Sequence, residues 1–388
     1  MIHARNRSAG VRRVWTPAFY FLFYAGGAAL SPYLVLFYRE RGLNPGEIGL
    51  LGAIPPLMML FGAPLWSGAA DALRGHKPLF LIAIVGAVGS VGILSQVTVL
   101  QWLALAVASY AFFASPIMPL ADSTTLSMLG DEKSSYGQIR LWGALGWGVS
   151  APLVGLLVQR GGLKWSFAGY ALFMLIGLAV GMRLPLGRAR LQAPFWHGVR
   201  SILSNRKWGL FLLIVFTSGV GLSAVNVFLF LYMKSLGASE TLMGLALTSA
   251  TLSELPFLFY TNRLIRRWGA RGLLLFGMAA YVVRALLYSF VTIPWPVLLV
   301  QLLHGPTFSA IWVAGVSYAD DIAPEGMGTT AQGIFGATFM GLGSGVGALF
   351  AGFLYQYVGV DWMFRIVAAV VAVATVLFSV VGRLPRNR

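Results

Sequence analysis

Long apolar stretches alternate with short polar gaps along the whole chain, and the charged residues are concentrated in the gaps. Each stretch has about 20 predominantly apolar residues, the length with which an α-helix crosses the hydrocarbon core of a bilayer. The pattern therefore predicts a chain built mainly of membrane-spanning helices. The twelve predicted helices cover residues 15–38, 47–70, 79–97, 101–128, 137–160, 165–184, 207–233, 241–264, 272–292, 295–322, 329–357 and 362–382.

The composition excludes several classes of protein. Of the 388 residues, 58% are hydrophobic and only 10% are charged, whereas soluble domains have about 25% charged residues. A soluble fold of this size cannot bury that much apolar surface in one core, and a disordered chain would be far more polar. The chain contains no cysteine, which removes disulfides, thiol catalysis and cysteine-bound zinc. We expect an all-α integral membrane protein.

The net charge of +16 is distributed unevenly between the two sides of the predicted helices. Of the 28 lysines and arginines, 21 lie in or near one set of alternate gaps, six lie in or near the other set, and Arg284 lies inside a helix far from both. The richer set includes both ends of the chain. Because basic residues are enriched in cytoplasmic loops, we expect both termini to be cytoplasmic, in a cell inner (plasma) membrane. We interpret the basicity as topology and expect no nucleic-acid partner. The first apolar stretch is too long for a signal peptide, so we predict a retained first helix.

The two halves of the chain resemble each other. The polar segment 185–206, predicted to be a cytoplasmic linker, separates residues 1–184 from residues 207–388, and each half carries six predicted helices. When the second half is shifted by 197 positions, eight residues within a stretch of 22 become identical. The matched pairs are Gly146/Gly343, Gly148/Gly345, Gly155/Gly352, Leu157/Leu354, Gln159/Gln356, Gly162/Gly359, Trp165/Trp362 and Phe167/Phe364. Such a repeat predicts two pseudo-symmetric six-helix bundles, as in transporters that hold substrate near the middle of the membrane.

The loop after the second helix carries a recognisable pattern. Its residues Gly68, Asp71, Arg74, Gly75 and Lys77 resemble the signature loop of the major facilitator superfamily. An aspartate in a tight cytoplasmic turn can meet a helix N-terminus and nearby basic residues as the two halves move, which makes this a candidate conformational loop. The alternative interpretation is an ordinary basic cytoplasmic loop. The resemblance implies the major facilitator fold, with twelve transmembrane helices and rocker-switch alternating access.

Three further segments carry a more specific pattern. They are residues 136–143 (YGQIRLWG), 303–308 (LHGPTF) and 331–333 (AQG). These segments resemble the branch of that superfamily that includes phenylpropionate permease and nucleoside:proton symporters and is similar to lactose permease. The resemblance covers essentially the whole chain, and its motifs identify the branch better than the substrate.

Five ionisable side chains lie well inside the predicted helices, where a charge costs about 2.5–3.5 kcal/mol to insert. They are Asp122, Arg140, Glu254, Arg284 and His304. Asp122 and Arg140 are equally far along the chain from Asp131, in the turn between the fourth and fifth helices. Since the rise per residue of a helix is constant, an antiparallel hairpin places the two at similar depth.

The second half carries an equivalent set. Glu254 and Arg284 are equally far from Gly269, and Arg284 and His304 are equally far from Pro294. We therefore expect an acid and an arginine at similar depth in each half, with a histidine added in the second. In the functional interpretation they line a polar cavity, where movement of the arginine would change the proton affinity of the acid. In the structural interpretation they are static ion pairs that hold helices together.

The resemblance to lactose permease implies a role for each of these residues. Asp122 and Arg140 match its helix-4 acid and its essential helix-5 arginine, and Trp147 matches its sugar-stacking tryptophan. The helix-8 acid, helix-9 arginine and helix-10 histidine that serve proton coupling correspond to Glu254, Arg284 and His304. Trp147 could equally be a packing residue.

Two positions depart from the lactose-permease pattern, and one residue comes from another resemblance. Thr307 stands where that family has a further carboxylate, and Gln301 stands where it has a lysine. Both departures weaken the expectation of proton coupling through Glu254. The nucleoside symporters have polar side chains on helix 7, where this chain has Asn226, which we include among the candidate substrate-binding residues.

We expect a secondary active transporter that couples uptake of a small polar or aromatic solute, such as a sugar, nucleoside or aromatic acid, to protons. The alternatives are a drug or metabolite exporter and a non-transporting sensor on the same fold. The chain has no ATP-binding loop, zinc-protease motif or nucleophile elbow, so we expect no enzyme activity, no metal and no cofactor beyond the proton. The expected partners are the small-molecule substrate and the lipid bilayer, with a monomeric protein.

Overall fold

The computed structural model describes residues 14–72, 75–129, 136–186, 202 and 206–381, and a helix covers each predicted apolar stretch. Within these residues, eleven helices are long and apolar enough to cross a membrane. The helices are α1 (Thr16–Glu40), α2 (Pro45–Ala72), α3 (His76–Gln96), α4 (Leu100–Leu129), α5 (Tyr136–Gly161), α6 (Lys164–Gly181), α7 (Arg206–Ser235), α8 and α9 (together Glu240–Tyr288), α10 (Pro296–Asp321), α11 (Gly328–Val358) and α12 (Val360–Val381).

The longest helical run contains two spans. Glu240–Tyr288 has 49 residues, roughly 74 Å at 1.5 Å per residue, more than twice the thickness of a hydrocarbon core. Gly269 interrupts it with φ 69° and ψ 163°, a backbone conformation that glycine adopts readily because it lacks a Cβ. We take α8 before Gly269 and α9 after it, which gives the twelve predicted spans. The predicted gap over residues 265–271 is wrong, because one glycine makes the connection.

Three helices predicted to be unbroken are interrupted. In α4, the helix stops at Ala114 and resumes at Ile117, because Pro116 has no N–H to donate to the preceding turn. In α10 and α11, π-helical turns lie at Gly305–Ser309 and Ala337–Gly343. Such turns insert an extra residue into the helix and occur often at functional sites. The predictions of unbroken helices over 101–128, 295–322 and 329–357 are therefore wrong.

The chain forms two compact units. The first comprises Met1–Leu43, Leu57–Gln192 and Ser239–Thr248, and the second comprises Asn44–Pro56, Ala193–Ala238 and Ser249–Arg388. In the first unit, α1 lies against α5 and α6, and α3 packs against α4 and α6. In the second unit, α7 lies against α11 and α12. The first helix of each half therefore packs against the fifth and sixth helices of its own half, so the internal repeat is also a repeat of helix packing.

Matched glycines permit close contacts between these helices. A Cβ on Gly146 of α5 would overlap the carbonyl group of Phe21 on α1. A Cβ on Gly343 of α11 would lie 2.7 Å from the carbonyl oxygen of Phe216 on α7. Small residues let helix backbones approach in membranes, where van der Waals packing replaces the hydrophobic effect. The Gly146/Gly343 identity found in the sequence therefore marks equivalent contacts in the two units.

The matched glutamines also make equivalent contacts. In the first unit, Gln159 Oε1 accepts a hydrogen bond from Thr241 Oγ1 at 2.5 Å. In the second unit, Gln356 Oε1 accepts one from the backbone N–H of Gly46 at 3.1 Å. Thr241 and Gly46 are the second residues of α8 and α2. The repeat thus extends from backbone packing to individual side-chain hydrogen bonds.

We expect Gly146→Ala to lower the apparent melting temperature of the purified protein. The added methyl group meets backbone atoms of Phe21 under 3 Å away, and inserting a group into a packed contact of this kind costs about 1–3 kcal/mol. Tryptophan fluorescence during heating measures the change. Gly89→Ala is the matched control, because a Cβ at Gly89 on α3 meets nothing within 4 Å. Equal melting of the two variants would contradict the tight α1–α5 contact.

Candidate functional site

The first cluster of polar groups joins α4 to α5 in the first unit. Arg140 Nη1 lies 3.8 Å from Asp122 Oδ2, and the two side chains are 47% and 26% exposed. The structure thus brings together the acid and the arginine that the hairpin spacing places at equal depth. At 3.8 Å the pair is a loose ion pair, and its partial exposure leaves the guanidinium open to another ligand.

Three tyrosines hold this pair in place. The buried Tyr20 hydroxyl donates to Asp122 Oδ1 and also lies 3.4 Å from the hydroxyl of Thr125. Arg140 donates from Nη2 to the Tyr24 hydroxyl at 3.0 Å and from Nη1 to the Tyr136 hydroxyl at 3.3 Å. A guanidinium has five N–H donors, so the two phenols use only part of its capacity. The cluster can bind a carboxylate or several hydroxyl groups through the remaining donors.

Trp147 lies two helical turns beyond Arg140 on α5. One edge of its indole ring packs against α1, 3.1 Å from the position that a Cβ on Gly27 would occupy. The side chain is half-buried. Gly27 therefore provides the space for the ring beside α1, and the exposed remainder of the ring can stack on a planar group or a sugar.

The second cluster joins α8, α9 and α10 in the second unit. His304 Nε2 lies 2.9 Å from Glu254 Oε1, and His304 Nδ1 lies 2.9 Å from Arg284 Nη1. Arg284 is only 1% exposed. The structure thus unites all three residues that the spacing predicts to be neighbours, with the histidine ring linking the carboxylate to the guanidinium.

Neutral oxygen atoms accept the other hydrogen bonds of Arg284. Nη1 donates to Thr307 Oγ1 at 3.1 Å, Nη2 donates to Gln301 Oε1, and Nε donates to the Tyr288 hydroxyl at 3.4 Å. Gln301 and Thr307 are the positions at which the sequence departs from lactose permease. In this chain both residues are ligands of the buried arginine.

Hydrogen bonds and close packing between helices position the second cluster. The N–H of Gly305, at the start of the π-helical turn, donates to Ser253 Oγ at 2.8 Å. A Cβ on Gly305 would overlap the carbonyl of Ser253, so glycine allows α10 to lie directly against α8 beside Glu254. On α9, the carbonyl of Tyr288 accepts a hydrogen bond from the Tyr232 hydroxyl of α7 at 2.7 Å. The cluster is therefore held by contacts between α8 and α10 and between α7 and α9.

The remaining predicted site residues are not part of either cluster. The Asn226 side chain on α7 is exposed. In the candidate conformational loop, Gly68 is exposed on α2 and Gly75 immediately precedes α3. Asp71 lies in the last turn of α2. Its side chain and the whole of Arg74 lie outside the described residues.

Lys77 of that loop has a counterpart in the second half. Lys77 Nζ donates to the carbonyl of Met182, just after α6, at 2.7 Å. Arg271 donates to the carbonyls of Phe378 and Ser379 near the end of α12. Cations at helix C-termini are favourable because the last carbonyls lack partners and the helix dipole is negative there. The loop basic residues therefore cap the last helix of each half.

Sequence reasoning missed the tyrosines that complete both clusters. The motifs and spacings in the sequence do not single out Tyr20, Tyr24 or Tyr288. A usable signal exists, because Tyr288 follows Arg284 by four positions and Tyr20 precedes Tyr24 by four. Residues four apart share one face of a helix.

Comparison with known proteins identifies the family. A model of the MFS_1 like family matches residues 14–366. The chain belongs to this family. The resemblance to the major facilitator superfamily seen in the sequence motifs is thereby confirmed.

Two relatives of this chain are a permease and a probable transporter. It is 30% identical over 384 residues to a maltose permease of Geobacillus stearothermophilus, covering 95% of each protein. It is 27% identical to a probable 3-phenylpropionic acid transporter of Escherichia coli strain K12, covering 91% of this chain and 94% of the other. The MFS_1-like protein is therefore a multi-pass membrane transporter.

A solved structure establishes the fold independently of sequence similarity. The MFS_1-like protein matches the nucleoside transporter NupG with a TM-score of 0.85 at 16% identity, over 96% of this chain and 100% of that chain. The predicted fold class, an all-α major facilitator fold, is confirmed.

Proposed function

We propose that this protein couples the uptake of a small polar or aromatic solute to the movement of protons, by rocker-switch alternating access in a cell inner (plasma) membrane with both termini cytoplasmic. The observation that carries the proposal is the Glu254 carboxylate, which lies within a membrane span and is hydrogen-bonded to the His304 ring beside the buried Arg284. An ionisable group at that depth is costly and marks proton relays and substrate paths.

Each cluster has a separate role in this proposal. Glu254 takes up and releases the proton, under the control of Arg284 and His304. Arg140 binds a carboxylate or hydroxyl group of the substrate, with Asp122, Trp147 and Asn226 as further substrate-binding residues. The Gly68–Lys77 loop takes part in the conformational change. The transporter works as a monomer in the bilayer, with the proton as coupling ion and no other cofactor.

The functions named for the relatives define the substrates to test. One relative is a maltose permease, one is a probable transporter of 3-phenylpropionic acid, and the structural neighbour is a nucleoside transporter. These are a sugar, an aromatic acid and a nucleoside, the three classes that suit an arginine with free donors beside a tryptophan.

Flux into proteoliposomes with an imposed pH gradient tests the proposal. The panel contains a disaccharide, a nucleoside and an aromatic acid, each with and without a protonophore that collapses the gradient. We expect one class to accumulate when the interior is alkaline, and accumulation to stop when the protonophore is added. Accumulation only with an acidic interior would indicate export by exchange with protons. Binding without flux would indicate a sensor and would contradict the proposal.

A further inference from the structure

His304 is bonded through its two ring nitrogens to groups of opposite character. Nε2 faces the Glu254 carboxylate and Nδ1 faces Nη1 of Arg284, each at 2.9 Å. A guanidinium has only N–H donors, no acceptor, and stays protonated in proteins. Nδ1 must therefore accept from Arg284. The ring proton is then on Nε2, from which it is donated to Glu254.

This arrangement of hydrogen bonds disfavours a second proton on the His304 ring. A protonated imidazole donates from both nitrogens, so its Nδ1–H would point at the N–H of Arg284 with two positive groups 2.9 Å apart. Arg284 is 1% exposed and is also held by Gln301, Thr307 and Tyr288. Because these three acceptors are neutral, the position of Arg284 does not depend on a carboxylate.

The groups that surround the His304 ring on all three helices are consistent with a ring that carries a single proton. The charged groups that face it are Glu254 from α8 and Arg284 from α9, with the Tyr288 hydroxyl behind the guanidinium. On α10, the ring of Phe308 stacks on the imidazole with centroids 5.4 Å apart and an interplanar angle of 13°. The Phe308 ring, the Arg284 donor and the Glu254 acceptor therefore hold the His304 ring in a single orientation.

We infer that His304 is a positioning residue that stays neutral, and that Glu254 alone carries the coupled proton. The inference rests on the proposed function. Protonation of Glu254 then requires no change in the protonation or orientation of the His304 ring. The incoming proton binds Oε2 of Glu254, while Oε1 continues to accept the Nε2–H bond. Release returns the proton from Oε2 to water, and no proton passes through the imidazole.

Nitrogen-15 resonance of labelled histidine measures the ring directly, without transport. The chain has four histidines, and His304→Gln assigns the signal of His304 by its loss. In lipid nanodiscs we expect one protonated and one unprotonated nitrogen, with shifts that stay constant from pH ~5 to ~8, the range in which free histidine titrates. In Arg284→Met the ring loses its fixed donor, and we expect it to titrate in that range. A wild-type signal that titrates overturns the inference, whether or not Arg284→Met folds.

The pH profile of uptake provides the second test. Glutamine offers one acceptor and one donor but does not titrate, so His304→Gln should transport more slowly while accumulation keeps its dependence on pH. His304→Leu offers neither group and should lose gradient-driven accumulation. Loss of pH dependence in His304→Gln would show that the ring carries the proton. If the wild-type protein does not accumulate substrate, the proposed coupling fails, and the nitrogen-15 signal still decides whether Arg284 fixes the ring.

Discussion

Replacing Glu254 by glutamine should abolish gradient-driven accumulation of substrate while leaving exchange of substrate across the membrane intact. The amide oxygen can still accept the hydrogen bond that His304 Nε2 makes to Glu254 Oε1 at 2.9 Å. It cannot bind a proton at neutral pH, so the variant should lose the step that, in the proposed mechanism, links solute to the proton gradient. Parallel assays of accumulation and of counterflow at equal internal and external pH separate the two effects.

The control for this experiment is Glu40→Gln. Glu40 is the last residue of α1 and is exposed, so its neutralisation changes the net charge by the same amount without touching the second cluster. We expect its accumulation to equal that of the wild-type protein. Accumulation that survives in Glu254→Gln would place proton coupling elsewhere and leave the second cluster as a structural network.

The second large effect is expected for Arg140→Gln, which should weaken substrate binding about 10–100-fold, because hydrogen bonds to charged groups contribute about 1.5–3 kcal/mol each. The variant removes the donors to Tyr24 and Tyr136 and the remaining guanidinium donors, which we propose bind the substrate. Asp122 keeps its hydrogen bond from Tyr20. Titration of substrate binding in detergent gives the affinity without any contribution from transport rate.

Arg160→Gln is the matched control on the same helix. Arg160 lies in the last turn of α5 and is exposed, so it should bind substrate like the wild-type protein. Equal affinities for the Arg140 and Arg160 variants would mean that the Asp122–Arg140 pair only joins α4 to α5.

The spans were predictable from sequence because hydropathy measures what the bilayer requires, about 20 apolar residues per helix. Local interruptions were not predictable in the same way. The π-helical turns of α10 and α11 add one residue to an otherwise apolar helix, and an average over a window does not detect this. Gly269 gave no composition signal either, because a single positive φ angle replaced the expected loop.

The sequence predicted the depth of the candidate site residues in the membrane, but not which face of each helix carries them inward. Equal spacing from a turn places two residues at one height on neighbouring helices, and the structure brings Asp122 near Arg140 and unites the second cluster. Spacing does not say which face of each helix turns inward. For this reason the sequence did not show that His304 lies between Glu254 and Arg284, or that the Tyr20 hydroxyl donates a hydrogen bond to Asp122.

The single-residue turn at Gly269 also bears on how the protein is made. With no loop between them, α8 and α9 are expected to enter the bilayer as a pair during synthesis. Glu254 and Arg284, each of which costs about 2.5–3.5 kcal/mol at the centre of a lone inserting helix, then enter in one step and can neutralise each other. His304 is translated afterwards, on α10. The order of the helices is thus expected to bring Glu254 and Arg284 into the membrane as a neutral pair before His304, which lies between them in the folded protein, is synthesised.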